Sequence, residues 1–118
     1  MARQLILVAD DDAPTRRWLR LILEQDGYAV VEAASGRQAL AAVAAHSPCL
    51  LLLDLNMPDM NGLQVCAALV RRRLTIPVLL LTAQRLPPAT IAGQRAFIYL
   101  RKPVDEDRLL AEVARLVA

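Results

Sequence analysis

Residues 49–54 read Cys-Leu-Leu-Leu-Leu-Asp, an apolar run that ends in a carboxylate. Four further short apolar runs occur along the chain, at residues 5–9, 29–31, 78–81 and 97–100. These runs do not alternate apolar with polar residues, as a strand with one solvated face would, so each predicts a strand that is covered on both faces. Such strands are typical of the parallel sheets of α/β domains.

The segments between these runs carry apolar residues at helical spacing. The predicted faces are Trp18, Leu21, Ile22 and Gln25; Ala39, Leu40, Val43 and Ala44; Leu63, Cys66, Leu69 and Val70; and Leu109, Leu110, Val113, Leu116 and Val117. Helix starts are marked by Pro14, Ser35 and Asn61, and Gly27 follows the first helix. The alternation predicts one α/β domain over residues 1–118, with a doubly wound, five-stranded parallel sheet.

The fourth helix is expected to be shortened. Between Thr82 and Phe97, Pro87 and Pro88 fit only before a helix or in its first turn, and Gly93 disfavours the remainder. About two turns of helix, at most, fit in this interval.

Composition and charge narrow the class of protein. The chain has 118 residues, of which 56% are hydrophobic and 22% charged, which suits a globular domain and argues against a disordered chain. The apolar runs are far shorter than the roughly 20 residues of a membrane span, and no secretory signal is recognised. We therefore expect a cytoplasmic protein without a membrane partner.

The cysteines and the basic residues also fit a cytoplasmic protein that does not bind nucleic acid. Cys49 and Cys66 lie in apolar stretches and are expected to be reduced core thiols. The net charge of +2 does not call for nucleic acid. Three consecutive arginines, at 71–73, are interpreted as the solvated end of a helix, since no aromatic residues are interleaved with them.

Acids, a hydroxyl and the only lysine of the chain follow four of the predicted strands, while Glu32 follows the second. They are Asp10, Asp11 and Asp12 after the first strand, Asp54 after the third, Thr82 after the fourth and Lys102 after the fifth. The carboxyl ends of parallel strands share one edge of a sheet, and ligands bind there. Clustered carboxylates repel one another unless a cation joins them, and a hard divalent ion, Mg²⁺ by preference, relieves this repulsion.

The same set of residues suits phosphoryl transfer. Carboxylates can accept a phosphoryl group covalently, and the transfer depends on positioning and on neutralising the phosphoryl oxygens. Asp54, at the end of the central apolar strand, is the best-placed acceptor. Mg²⁺, Lys102 and the Thr82 hydroxyl would neutralise the oxygens. The acidic run has a simpler interpretation too, because Asp12 would also serve as a helix N-cap.

Four motifs, taken in order, resemble the receiver domain of two-component response regulators, and the resemblance covers the whole chain. They are Val-Ala-Asp-Asp-Asp at 8–12, Leu-Leu-Asp-Leu-Asn-Met-Pro-Asp-Met-Asn-Gly at 52–62, Leu-Thr-Ala at 81–83 and Tyr-Leu-Arg-Lys-Pro at 99–103. The resemblance implies a flavodoxin-like sheet with strand order 2-1-3-4-5. It also implies a single-domain signalling module that catalyses only its own phosphorylation and dephosphorylation.

The resemblance further implies who donates the phosphoryl group and what holds the metal. Asp54 would accept the group from a histidine kinase or a histidine phosphotransfer protein, and phosphorylation would switch binding to an unknown downstream protein. Asp10, Asp11 and Asp54 would hold Mg²⁺, with the backbone carbonyl of Asn56 as a further ligand.

Switch and tuning residues are also implied by the resemblance. Thr82 and Lys102 would bind the phosphoryl oxygens, and Thr82 and Tyr99 would form the switch. Asn56 and Gln84 would tune how fast the phosphoryl group is lost. Tyr99 also has a simpler interpretation, as a half-buried aromatic residue.

Other functions stay open at this point. The interval from Thr82 to Lys102 is shorter than is typical of the family, which motivates a constitutive protein-docking module of the same fold, with phosphorylation dispensable. A hydrolase of the aspartyl-phosphate type is disfavoured, because Pro14 stands where those enzymes carry a threonine. Whether the domain acts alone or within a longer polypeptide also stays open.

Overall fold

A computed structural model describes residues 3–83 and 97–118. Its strands are β1 (Leu5–Ala9), β2 (Ala29–Ala33), β3 (Leu50–Asp54), β4 (Val78–Thr82) and β5 (Phe97–Arg101), and its helices are α1 (Ala13–Gln25), α2 (Gly36–His46), α3 (Gly62–Arg71) and α4 (Glu106–Val117). Each strand ends within two residues of its predicted limits. The predicted fourth helix falls on residues 84–96, outside the described residues, so α4 is the fifth helix of the sequence prediction.

The five strands form one parallel sheet in the order β2-β1-β3-β4-β5, which confirms the predicted topology. Successive residues of the central strand β3 enter two different cores. Leu51 and Leu53 pack in the core beneath α2 and α3, and Leu50 and Leu52 pack in the core beneath α1 and α4. The sheet is therefore covered on both faces, which is why β3 is apolar at every position before Asp54.

The buried face of α1 differs from the predicted one. Trp18 and Leu21 are 38% and 54% exposed, and the buried positions are Leu19, Ile22 and Leu23. Both sets have helical spacing, and a shift of one residue turns the face by about 100°. Ala44 and Val70, which were also predicted to lie on buried faces, are exposed.

Capping residues begin the helices where the sequence predicts. Ser35 and Asn61 are the N-caps of α2 and α3, and each side chain accepts a hydrogen bond from the backbone N–H three residues later. Pro14 stands in the first turn of α1, whose N-cap is Asp12. Gly27 has a φ of 96°, which glycine adopts without strain, and the chain turns there from α1 into β2.

Both cysteines are free thiols, as predicted. Cys66 lies in the core between α3 and the sheet, and burial raises its pKa to about 12. Cys49 is partly buried against the other core. Across residues 3–83 and 97–118, no helix combines the length and the hydropathy that a membrane crossing requires.

Candidate functional site

Three carboxylates meet at the carboxyl edge of the sheet. Asp10 and Asp11 directly follow β1, and Asp54 is the last residue of β3, the parallel neighbour of β1. Each side chain offers an oxygen, and these oxygens all lie within 4.8 Å of one another. Asp10 and Asp54 are buried and Asp11 is exposed, so the cluster opens to solvent on one side.

Lys102 reaches this cluster from the end of β5. Its Nζ lies 3.2 Å from Oδ1 of Asp54 and 3.5 Å from Oδ2 of Asp10. Its backbone N–H donates a hydrogen bond of 2.7 Å to the carbonyl of Thr82, which fixes the start of the side chain beside β4. The only lysine of the chain therefore lies between the two buried carboxylates.

The electrostatics of the cluster favour a further cation. Burial is the main reason why the pKa of the Asp54 carboxyl is raised, the nearby Asp10 adds to this effect, and Lys102 only partly opposes it. Burial by itself lowers the pKa of the Lys102 ammonium, but the Asp10 and Asp54 carboxylates together outweigh it and raise this pKa. Three carboxylates against one ammonium leave a formal charge of minus two, which a divalent cation would balance.

Asp10 is held by groups that the sequence prediction did not include. The backbone N–H of Asp12 donates to its Oδ1 at 2.9 Å, and Nη1 of Arg16 donates to its backbone carbonyl at 2.7 Å. Nε of Arg16 also donates to Glu32 at 2.9 Å. Glu32 itself lies within β2 rather than after it, which corrects its predicted position. Sequence patterns gave no signal for Arg16, because its partners are 6 and 16 residues away and belong to other elements.

The loop after β3 is fixed to α2 by a second feature that the sequence prediction missed. The two carboxylate oxygens of Asp59 each accept a hydrogen bond of 2.9 Å, from the backbone N–H groups of Gly36 and Arg37. These bonds lower the pKa of the Asp59 carboxyl. The sequence prediction assigned Asp59 no role of its own, since nothing in the local sequence shows that α2 begins nearby.

The remaining predicted site residues lie around the cluster. Asn56 is exposed, and its backbone N–H lowers the pKa of the Asp54 carboxyl. Thr82 is fully buried at the end of β4. Tyr99 lies opposite Leu80 within β5, is partly buried and packs against the core beneath α2 and α3. Gln84 lies outside the described residues. The structure thus brings Asp10, Asp11, Asp54 and Lys102 together, with Thr82 and Asn56 at the same edge.

Comparison with known proteins shows which protein family has this arrangement of residues. Residues 6–114 match the response regulator receiver domain. The chain is 40% identical over 117 residues to the DNA-binding response regulator MtrA of Mycobacterium tuberculosis, covering 97% of this chain and 51% of that protein. It is 35% identical over 120 residues to the DNA-binding transcriptional regulator NtrC of Salmonella typhimurium, covering 100% of this chain and 26% of that protein.

Solved structures agree with the sequence relatives. Chemotaxis protein CheY4 of Vibrio cholerae superposes with a TM-score of 0.88 at 29% identity, covering 98% of this chain and 99% of that one. A CheY-like receiver domain protein from Methanospirillum hungatei gives a TM-score of 0.91 at 26% identity, covering 98% of this chain and 94% of that one. The chain spans about half the length, or less, of the curated relatives described above. The match over nearly its whole length shows that it belongs to the receiver domain family of two-component response regulators.

Proposed function

We propose that residues 1–118 form a receiver domain that accepts a phosphoryl group on Asp54 in a Mg²⁺-dependent reaction. The donor would be the phosphohistidine of a histidine kinase or of a histidine phosphotransfer protein. One observation carries the proposal: three carboxylates gather within 4.8 Å, and the ammonium of Lys102 lies 3.2 Å from Asp54.

The acidic cluster suits a hard cation, because its donors are all oxygens and one side is open to solvent. Asp10, Asp11 and Asp54 would hold Mg²⁺, with the backbone carbonyl of Asn56 as a further ligand. Bound Mg²⁺ would supply positive charge that neutralises the phosphoryl oxygens. Because Asp11 is exposed, the phosphoryl donor would approach the cluster from the solvent side on which Asp11 lies.

The chemical step uses Asp54 as the nucleophile. One carboxylate oxygen forms a bond to phosphorus while the bond between phosphorus and the donor nitrogen breaks, and the donor leaves with the electron pair. Lys102 then binds a phosphoryl oxygen from its position beside Asp54, and the hydroxyl of Thr82 binds another. These two residues hold the group in place without turnover of any other substrate.

Phosphorylation would act as a switch through charge. The acyl phosphate adds about one negative charge and strong acceptor oxygens beside Lys102, enough to bias an equilibrium between two arrangements of nearby residues. Thr82 and Tyr99 would change position on phosphorylation, and this would alter the binding of a downstream protein. Asn56 and Gln84 would set how fast the phosphoryl group is lost. The free thiols of Cys49 and Cys66 are consistent with a cytoplasmic setting.

Intact-mass measurement tests the proposal. The chain is incubated with Mg²⁺ and acetyl phosphate, a small phosphodonor, and should gain the mass of one phosphoryl group. Asp54→Asn should gain none, and chelation of Mg²⁺ should prevent the gain in the wild type. Asp26→Asn, at the exposed end of α1, is the matched control and should gain the group normally. A wild-type chain that gains nothing would contradict the proposal and favour a docking module for which phosphorylation is dispensable.

A further inference from the structure

A groove of about 410 Å³ lies between α2 and α3, away from the acidic cluster. It combines an apolar floor with a basic rim. The floor is formed by Leu40, Ala41, Met60 and Ala68, and the rim by Arg37, Arg71 and Arg72. We call it the basic groove. Each helix supplies residues at helical spacing, so one face of α2 and one face of α3 meet across it.

No ion pair within the described part of the protein balances the positive charge of the basic groove, and the Asp59 carboxylate bonds only the backbone N–H of Arg37 there. Residues 36–46 and 62–73 contain four arginines and neither Asp nor Glu, although the chain has 12 acidic residues. The ion pairs found among residues 3–83 and 97–118 involve Arg16, Arg20, Lys102 and Arg115, and none involves a rim arginine. Like charges on the two sides of a groove repel each other, so an anionic occupant would be attracted to it.

The preference of arginines for a solvated helix end explains the positions of only some of the rim arginines. Arg71 and Arg72 end α3, where a cation interacts favourably with the helix dipole. Arg37 instead lies in the first turn of α2, where the dipole disfavours a cation. Its backbone N–H donates to Asp59, but its guanidinium forms no ion pair with any described carboxylate. A binding role accounts for all three rim arginines at once.

We propose that the basic groove binds an acidic, amphipathic segment of a partner protein. An apolar side chain of that segment would contact the accessible part of the floor, at Ala41 and Met60. Its carboxylates would pair with the rim guanidinium groups, whose planar forks match a carboxylate. Among the described residues, those that line the groove include no Phe, Trp or Tyr on which a base could stack, so the chemistry favours a protein over single-stranded nucleic acid. This binding goes beyond the phosphorylation of Asp54 and does not require it.

Fluorescence anisotropy on the full chain tests the proposal with a defined probe. The probe is a labelled synthetic peptide with leucines at helical spacing, flanked by glutamates, and its matched control has glutamine at every glutamate. The acidic peptide should bind at least about tenfold more tightly than the glutamine peptide, since the carboxylates make the rim contacts. Equal binding of the two peptides would overturn the proposal.

Charge-matched variants locate the site. The double variant Arg37→Glu/Arg71→Glu should weaken binding of the acidic peptide at least about tenfold, while Arg3→Glu/Arg17→Glu, with the same change in net charge, should stay within about twofold. All four arginines are exposed, so both variants should fold. Ala41→Glu, which adds one carboxylate to the exposed part of the floor, is a second test and should also weaken binding. Equal weakening by the control double variant would overturn the assignment.

A methyl resonance gives a direct local readout. In protein labelled with ¹³C at the methionine methyl groups, the acidic peptide should shift the signal of Met60 in the floor and leave that of Met57, which is buried, unchanged. An unshifted Met60 signal at saturating peptide would overturn the proposal. A single-stranded oligonucleotide of the same net charge should bind more weakly than the peptide, and equal or tighter binding would overturn the choice of a protein partner.

Discussion

Arg16 connects the acidic cluster to the neighbouring strand. Its guanidinium donates to the carbonyl of Asp10 at 2.7 Å and to the carboxylate of Glu32 at 2.9 Å, and its side chain is only 18% exposed. These bonds fix the loop that carries Asp10 and Asp11. Arg16 is therefore a positioning residue for the proposed metal ligands.

Replacement of Arg16 should weaken Mg²⁺ binding without removing a ligand. We expect Arg16→Ala to lower Mg²⁺ affinity about tenfold, as is common when a group that orients a ligand is lost. Isothermal titration calorimetry measures the affinity. Arg17→Ala removes the exposed neighbouring arginine and should bind Mg²⁺ like the wild type. Equal affinities for Arg16→Ala and Arg17→Ala would show that the loop holds its shape without Arg16.

Gly36 marks a close approach between α2 and the loop after β3. A Cβ atom at this position would lie 2.7 Å from Cβ of Met60 and 3.1 Å from Cγ2 of Val65. Gly36→Ala should therefore lower the free energy of unfolding by about 1–3 kcal/mol, the usual cost of overpacking. Urea denaturation measures it. The double variant Gly36→Ala/Met60→Gly removes the closest contact. If that contact causes the loss of stability, the double variant should lose less free energy of unfolding than the sum of the losses in the two single variants.

At the scale of single residues, the predictable part of the site is the part set by strand ends. Asp10, Asp54 and Lys102 follow apolar runs, and parallel strands bring their carboxyl ends to one edge, so the sequence predicts that these residues share that edge. Arg16 and Asp59 act through contacts between elements. Their partners depend on how α1 packs beside β2 and on how close the loop after β3 lies to α2, which local sequence does not encode.

The elements α1 and β2 are joined by an ion-pair network centred on Glu32. Arg20 of α1 lies 2.7 Å from one Glu32 oxygen, and Arg16 lies 2.9 Å from the other. The hydrogen bond from Arg20, with a further contribution from Arg16, lowers the pKa of the Glu32 carboxyl below its usual value of 4.5. The ionised form is therefore favoured in the folded state.

This lowered pKa predicts a pH dependence of stability. The contribution of Glu32 is complete well above pH 4.5 and is lost as the pH falls through the lower folded-state pKa. Glu32→Gln should lower the free energy of unfolding at pH 7 by less than about 1 kcal/mol, because the pair is partly exposed. Denaturation at pH 7 and at about pH 3 checks this, and the difference from the wild type should shrink at the lower pH. A difference that is the same at both pH values would contradict the role of the charge.

At the scale of elements, burial on both faces made the strands easier to predict than the helix faces. The apolar runs of β1, β3 and β4 have sharp ends because each is followed at once by a polar residue, Asp10, Asp54 or Thr82. The face of α1 was wrong because Leu19 and Leu23 satisfy the helical spacing as well as Trp18 and Leu21 do. Packing against the sheet decides between the two faces, and the face with Leu19 and Leu23 is the one that fills the core beneath α1.

For the whole molecule, metal binding at the acidic cluster would be coupled to stability. An ion that binds only the folded chain stabilises it by about 1.4 kcal/mol at ten times its dissociation constant, which raises the melting temperature by several degrees. We therefore expect Mg²⁺ to raise the melting temperature of the wild type and chelation to reverse the effect. Asp11→Asn should lose most of this response, while Asp107→Asn, in the exposed first turn of α4, should keep it. An equal response in Asp11→Asn would place the ion elsewhere.

The strand order of the molecule was predictable only through the family resemblance. The five apolar runs are similar in length and character, so periodicity predicts a parallel sheet without telling which strands are neighbours. The observed order places β1 and β3 side by side, and this adjacency is what brings Asp10 to Asp54. The acidic cluster is thus a property of topology as much as of residue type.

The enclosure of Lys102 also bears on amine chemistry. It is the only lysine in the sequence, so reagents that acylate lysine have one such target, and that target lies in the site. Only an uncharged amine reacts with them, and the two carboxylates that raise its pKa keep this amine protonated. Acylation of Lys102 should therefore be slow while the carboxylates hold the ammonium, and any event that draws Asp54 away from it would expose the site to irreversible inactivation.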